Sequence, residues 1–298
     1  MNFQSIWQLL KATYNEWSED DASRLAAALS YYTAVSIAPL LIIVIVVVGL
    51  FYGQAAAQGQ LVARFQGAIG AEGAKFIQDV INNAHRPALG TVAGLLGVAT
   101  LLWGSTNFFN ELQTSLNKIW DVERKTGQGL WTTIKERFLS FTLVLGIGFL
   151  LLVSLVLSAV LTAVGHYFTN LLPGAGWLWE LVNFIISFGV ITLLFALIYR
   201  ILPDAEIAWR DVWLGAAITA LLFTIGKWLL GLYLGNTSSA YGAAGSLAVF
   251  LIWVYYSAQI LFFGAEFTQV YANRYGSGVQ PAANAVSTEN YQGAQRNG

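Results

Sequence analysis

Long apolar runs separated by shorter polar segments dominate the chain. Crossing the ~30 Å hydrocarbon core of a bilayer takes about 20 mainly apolar residues in an α-helix. The runs are continuous and do not alternate with polar residues, so they predict helices rather than barrel strands. The predicted fold class is an all-α integral membrane protein, a bundle of about six transmembrane helices at about residues 30–51, 89–109, 138–164, 178–199, 212–234 and 246–271.

The segments outside this 30–271 transmembrane domain are short. Residues 1–29 are predicted to form a cytoplasmic N-terminal segment. Residues 272–298, which are poor in large apolar side chains from Gly276 onward, are predicted to form a disordered cytoplasmic tail. Apolar residues recur at helical spacing between the first two spans and again after the second. They predict two short amphipathic helices in the first outer loop and an amphipathic helix in an inner loop.

Lysine and arginine are unevenly divided between the two sets of loops. Cytoplasmic loops of membrane proteins are the richer in these residues. With the N-terminus inside, the outer segments hold three, Arg64, Lys75 and Arg86. The cytoplasmic segments then hold eleven: Lys11, Arg24, Lys118, Arg124, Lys125, Lys135, Arg137, Arg200, Arg210, Arg274 and Arg296. This asymmetry predicts that both termini lie in the cytoplasm.

Composition argues against several classes of function without identifying one. Charged residues make up 10% of the chain, against roughly 25% in soluble domains. There is no cysteine, and the two histidines are His85 and His166, so neither a thiolate nor a histidine metal site is expected. Phosphate-binding, dinucleotide-binding and hydrolase motifs are missing, and no basic stripe suggests nucleic acid. The sequence therefore predicts a protein that is not an enzyme, with no cofactor and no nucleic-acid partner.

Polar side chains within the predicted spans are the candidate functional residues. A charged residue inside a membrane is costly, and it commonly marks a substrate or ion pathway. Lys227 lies about two thirds of the way along the fifth span, where it either snorkels to the outer interface or binds an anionic group in an inner cavity. Asn107, Tyr255 and Tyr31 either line such a cavity or act as interhelical hydrogen-bond glue.

Glu266 is the second ionisable residue within a span, near the inner end of the sixth. Arg24 lies at the same predicted level, at the entry to the first span. We therefore predict a structural ion pair between Glu266 and Arg24 that joins the first and sixth spans.

Three stretches of the chain resemble the YihY/virulence factor BrkB family, which was historically mislabelled as a ribonuclease BN family. The first runs from Asp20 to Thr33 and continues through Ala38-Pro39-Leu40, the second is Leu202-Pro-Asp-Ala near Trp209-Arg210, and the third runs from Tyr241 through Glu266. The resemblance spans about residues 10–275. It implies a bacterial inner-membrane (plasma-membrane) protein of six spans, and it carries over no catalytic residue.

Two functions stay open, with ribonuclease activity a remote third. The leading hypothesis is transport or binding of an amphiphilic or anionic component of the cell envelope, with membrane lipids and an unknown envelope substrate as partners. The alternative is a structural or scaffolding membrane protein of the envelope in which the polar groups only join helices. The sequence is also compatible with a homo-oligomer.

Overall fold

The computed structural model describes residues 2–84, 107–125, 176–237 and 245–290. Within these ranges the chain is mainly helical. In chain order the helices are α1 (Phe3–Glu19), α2 (Ala22–Tyr52), α3 (Gln54–Ala84), α4 (107–119), α5 (Gly176–Ile201), α6 (Trp209–Thr237) and α7 (Gly245–Tyr275). The predicted third span and nearly all of the second lie outside the described residues.

Three of the described helices are long and apolar enough to cross a membrane. Their candidate spans are Glu180–Ile201, Trp209–Leu230 and Gly245–Tyr275, which overlap the predicted fourth, fifth and sixth spans. Helix α2 covers the predicted first span. The structure thus supports a helical membrane protein, whereas the number of six spans stays a prediction.

The centre of the described bundle is the crossing of α6 and α7. Two glycine–threonine pairs face each other there, Gly215 with Thr268 and Gly264 with Thr219. Each threonine hydroxyl donates to the carbonyl of the glycine one turn earlier in its own helix: Thr219 to Gly215 at 2.8 Å and Thr268 to Gly264 at 2.6 Å. Because each side chain caps a glycine of the other helix, the two backbones approach closely.

Helix α3 is two helices joined end to end, because Gly70 has φ 77° and ψ 176°, outside the helical region. This confirms two helices within residues 54–84, as the apolar spacing predicted. Their apolar residues Ile69, Ile77 and Ile81 pack on Ile45 of α2 and Phe250 of α7. The segment between α2 and the undescribed part of the chain is therefore folded onto the bundle.

Short strands follow the last helix and join separate parts of the chain. Residues Ala285–Ser287 pair antiparallel with Val122–Arg124 after α4, and Gln280–Pro281 pair antiparallel with Ala205–Glu206 between α5 and α6. The prediction of a disordered tail is therefore wrong for residues 272–290. Backbone hydrogen bonds between paired strands stabilise this segment. Such pairing cannot be predicted from a composition of small and polar residues.

Candidate functional site

The four residues predicted to line a cavity do not form one site within the described part of the chain. Lys227 is exposed on α6, and Tyr31 is 63% exposed on α2, where its ring lies edge-on to Tyr32. Asn107, at the first described position of α4, is half-buried. The described cavity reported below is lined by none of the four.

Tyr255 belongs to a chain of polar contacts in which Gln259 reaches a second helix. Its hydroxyl accepts a hydrogen bond from the side-chain nitrogen of Gln259 at 2.6 Å, and the same nitrogen lies 3.2 Å from the hydroxyl of Ser23. Because Ser23 belongs to the first turn of α2, this chain of contacts connects α7 to α2. The bond of Tyr255 itself lies within α7, so both alternatives for Tyr255, a cavity and interhelical glue, stay predictions.

The predicted ion pair between Glu266 and Arg24 is wrong. Arg24 is mostly exposed and pairs with Asp21 at 3.3 Å. Glu266 is fully buried, and neither of its carboxylate oxygens has a hydrogen-bond partner. The physical reason is that the Arg24 side chain is exposed on α2, where Asp21 lies within reach, whereas the Glu266 side chain is buried.

A buried carboxylate, which was not among the predicted site residues, joins several segments of the chain at one end of the bundle. Asp204, in the Leu202-Pro-Asp-Ala stretch, accepts bonds at Oδ2 from Asn117 (2.8 Å), Arg124 (2.7 Å) and Gln113 (3.3 Å). Its Oδ1 accepts from Asn284 at 2.7 Å. Its backbone N–H donates to Asn117 at 2.8 Å. We call these five residues the Asp204 network.

The Asp204 network defines what we call the polar end of the bundle. Its members come from α4, the strand after it, the α5–α6 connection and the segment after α7. The α1–α2 turn lies at the same end, because the ammonium of Lys118 on α4 donates to the backbone oxygen of Asp20. All of these segments were assigned to the cytoplasmic side from their positive charges.

A cavity of about 610 Å³ opens beside the Asp204 network. Eight of its nine lining residues have polar or charged side chains, and both signs of charge are present: Asp20, Thr114, Asn117, Lys118, Asp121, Val122, Glu123, Arg124 and Thr288. Within the described residues, no group of three or more His, Asp or Glu side chains is arranged to hold a metal ion. The cavity therefore offers hydrogen bonds and charges of both signs, from three acidic and two basic residues, to a polar ligand.

Burial raises the pKa of two carboxyl groups at the cavity, Asp20 and Asp121. It raises the pKa of Asp20 to about 6; Lys118 opposes this rise, and the negative charges of Asp121 and Glu16 add to it. Burial also raises the pKa of Asp121, against a hydrogen bond at 2.9 Å from Gln269 of α7. Asp20 therefore titrates closer to neutral pH than an ordinary aspartate does.

A family model described as Virulence factor BrkB matches residues 13–289, nearly the whole chain. The chain belongs to the BrkB family. The match includes α2, the Asp204 network and α7, so the described polar end is built from residues within the family region. The resemblance predicted from three sequence stretches is confirmed.

Curated relatives in the BrkB family are named membrane proteins. A UPF0761 membrane protein of Alteromonas mediterranea is 27% identical over 84% of this chain and 83% of the relative. One of Ralstonia nicotianae is 28% identical over 89% of this chain. One of Psychromonas ingrahamii is 27% identical over 88% of this chain and 87% of the relative. No solved structure matches.

Some of these BrkB-family relatives are longer than this chain. The chain covers 58% of the Ralstonia nicotianae protein and 62% of a UPF0761 membrane protein of Verminephrobacter eiseniae. The chain thus spans about three fifths of the length of those two proteins.

Proposed function

We propose that this BrkB-family membrane protein moves or binds an amphiphilic or anionic component of the bacterial cell envelope. One observation carries the proposal: Lys227 is exposed within an apolar candidate span. Its exposed neighbours on α6 are large apolar residues, Leu221, Ile225, Trp228 and Leu229. An ammonium surrounded by apolar side chains is complementary to a molecule with an anionic head and alkyl chains.

The charge of Lys227 is uncompensated within the described residues, where it forms no ion pair or hydrogen bond. A cation in a membrane span is costly unless it reaches the interface or meets an opposite charge. Snorkelling to the interface lowers that cost, and an anionic headgroup there supplies the opposite charge. Both routes bring Lys227 to the level of lipid headgroups, which supports an amphiphilic substrate over a wholly soluble one.

Substitution of Lys227 by alanine is expected to slow movement of an anionic lipid by roughly tenfold, the effect of losing about 1.4 kcal/mol of headgroup interaction. The full chain is reconstituted into vesicles holding fluorescent phosphatidylglycerol or phosphatidylcholine, and transfer between leaflets is followed by quenching from outside. Lys227→Arg, which keeps the charge, is expected to retain the rate. Lys11→Ala removes one exposed lysine from α1, outside the candidate spans, and serves as the control.

Equal rates for empty and protein-containing vesicles, with both lipids and with an imposed pH gradient, contradict the transport proposal. Unchanged transport in Lys227→Ala contradicts the role of Lys227 while leaving transport itself in place. The two results are distinguishable because the first is read on the unmodified chain.

A structural or scaffolding role is the second candidate, and satisfied hydrogen bonds favour it. The buried hydroxyl of Tyr199 on α5 lies 2.9 Å from that of Thr219 on α6 and donates to the backbone oxygen of Leu261 on α7 at 2.7 Å. These bonds join the three span-capable helices. If the role is only structural, we expect no flux in the vesicle experiment. We then expect a loss of envelope integrity in cells that lack the protein.

We also propose that the protein lies in the bacterial inner membrane with the polar end and both termini in the cytoplasm. The chain has no cysteine, so single-cysteine variants report topology directly. Glu206→Cys, exposed between α5 and α6, is expected to react with a membrane-impermeant maleimide only in inverted vesicles. Gln60→Cys, exposed on α3, is expected to react only in intact spheroplasts. The opposite pattern overturns this orientation.

A further inference from the structure

One face of helix α1 is attached to the bundle. Leu9 is buried and packs with Phe267 and Val270 of α7, and Ile218 of α6 lies against the same three residues. Thr13, one turn after Leu9, is also buried, and its hydroxyl donates to the Leu9 carbonyl at 2.9 Å. Helix α1 is therefore held against α7, with a contact to α6, along one side.

A second face of α1 is apolar and exposed within the described part of the chain. It consists of Ile6, Trp7, Leu10 and Tyr14, whose exposed fractions run from 39% for Leu10 to 63% for Trp7. Residues three and four apart lie on the same side of a helix, so these four form one continuous surface. We call them the apolar face of α1. Large apolar side chains gathered on an exposed surface mark a contact with a protein or a membrane.

The remaining face of α1 is polar and exposed, and it holds few charges. Its residues are Gln4, Gln8, Lys11, Asn15 and Glu19. A helix with one apolar and one polar exposed face is typical of a helix that lies in a membrane interface. Many such helices carry several basic residues, whereas α1 has one lysine and two glutamates. Its charge therefore gives it no attraction to anionic headgroups.

The height of α1 along the bundle matches the edge of a membrane. Val270 lies about 8 Å before Tyr275, the end of α7, at the helical rise of 1.5 Å per residue. Ile218 lies about 13 Å beyond Trp209, the start of α6, at the same rise. Interfacial helices bury their apolar face about 5–10 Å into the boundary between headgroups and acyl chains. Helix α1 thus crosses α6 and α7 near the depth that an interfacial helix occupies.

The attachment of α1 adjoins a surface of α6 that is suited to lipid. Leu214 and Leu221 are exposed, and they lie on the same side of α6 as Ile218. Because α6 is a candidate membrane span, this exposed apolar strip is complementary to acyl chains. The contact of Leu9 with Ile218 places α1 beside the strip, so the lipid-compatible surface of the span continues onto α1.

Exposed aromatic residues gather at the same end of three helices. Tryptophan and tyrosine are enriched where membrane proteins meet the boundary between lipid and water. The exposed members here are Trp7 and Tyr14 of α1, Trp209 and Trp213 at the start of α6, and Tyr275 at the end of α7. Their distribution favours a lipid interface at this level over a surface in contact with water.

We propose that α1 is an interfacial helix whose apolar face inserts into the lipid leaflet at the polar end of the bundle. Its partner is the bilayer itself. The burial of apolar area drives the contact, and the charge of the headgroups contributes little. The proposal depends neither on Lys227 nor on the transport of an envelope component, because it concerns a different helix and requires only a membrane.

Spin labels on the full chain in vesicles test the insertion. The chain has no cysteine, so single-cysteine variants carry one nitroxide each: Trp7→Cys and Tyr14→Cys on the apolar face, and Gln8→Cys and Asn15→Cys on the polar face as matched controls. Power saturation in electron paramagnetic resonance compares collisions with oxygen, which concentrates in lipid, and with an uncharged nickel complex, which stays in water. We expect oxygen to exceed nickel at Trp7→Cys and Tyr14→Cys, and the order to reverse at both controls.

Two other results overturn the proposal. If nickel exceeds oxygen at all four positions, α1 lies in water. If Trp7→Cys and Tyr14→Cys collide with neither reagent, protein covers the apolar face, and spin–spin broadening then identifies that protein as a second copy of the chain. Leu10→Cys, which is on the same face, replaces either variant if circular dichroism shows that it does not fold.

Lipid composition tests what drives the insertion. The measurement at Trp7→Cys is repeated in phosphatidylcholine alone and in mixtures with phosphatidylglycerol, each at low and at high salt. Since α1 carries one basic residue and two acidic ones, the ratio of oxygen to nickel collisions is expected to stay unchanged. A ratio that rises with the anionic lipid and falls with salt overturns the apolar origin of the contact.

Discussion

Asp204→Ala is expected to lower the free energy of unfolding by about 3 kcal/mol, the lower end of the cost of removing one partner of a buried ion pair, because Arg124 is itself partly exposed. The substitution removes the acceptor for Asn117, Arg124 and Asn284 together. The two amides and the guanidinium are left at least partly buried, so hydrogen bonds to Asp204 no longer offset the cost of removing these groups from water. We expect a correspondingly large fall in the melting temperature of the protein in detergent, measured by circular dichroism.

Two further variants make this result specific. Asp204→Asn keeps the shape and one acceptor oxygen but loses the charge, and it is expected to lie between the alanine variant and the unmodified protein. Glu206→Ala removes an exposed carboxylate two residues away, and its expected effect is within about 0.5 kcal/mol. Equal melting temperatures for Asp204→Ala and Glu206→Ala would show that the Asp204 network does not stabilise the fold.

Gly264→Ala is expected to destabilise the bundle by roughly 1–3 kcal/mol through overpacking at the crossing of α6 and α7. A methyl group at this position would clash with the hydroxyl of Thr219 and come within 2.7 Å of the Tyr199 oxygen. The clash therefore displaces both members of the hydrogen bond that joins α5 to α6. Denaturation in increasing sodium dodecyl sulfate measures the loss.

Gly189→Ala is the matched control for the crossing. Gly189 lies on α5, and no neighbouring heavy atom is within 4 Å of the added carbon. Alanine is the better helix former, so the control is expected to be neutral or slightly stabilising. If Gly264→Ala tolerates detergent as well as Gly189→Ala does, the close approach of α6 and α7 contributes nothing to stability.

The sequence predicted the helical membrane-protein class because apolar run length is a direct physical requirement for crossing a bilayer. The predicted fourth, fifth and sixth spans each fall on a span-capable helix. The two helices of α3 were predicted from apolar spacing in the same way. Such periodicity gives the position of an element along the chain, and it does not specify the neighbours of that element.

For that reason the Asp204 network could not be predicted from the sequence. Asp204 is 87 positions from Asn117 and 80 from both Arg124 and Asn284, so no local pattern brings them together. One signal was present: Gln113 and Asn117 are four residues apart on an amphipathic helix, and both bond to Asp204. The Gly-x-x-x-Thr spacing of Gly215-Thr219, repeated at Gly264-Thr268, was a second signal.

The wrong prediction of an ion pair between Glu266 and Arg24 has a related cause. Their level in the membrane was estimated from helix rise, but rotation about the helix axis decides which face a side chain occupies. Arg24 lies three residues after Asp21, and this spacing favours the local pair that the structure contains. Local spacing was the better guide than shared depth.

The pairing of residues 280–287 with earlier segments bears on how the protein is made. Strands Val122–Arg124 and Ala205–Glu206 leave the ribosome long before their partners at 285–287 and 280–281 are synthesised. Until α7 and the segment after it have been synthesised, Asp204 therefore lacks its hydrogen bond from the amide of Asn284. Closure of this layer is consequently a late, long-range step of biogenesis.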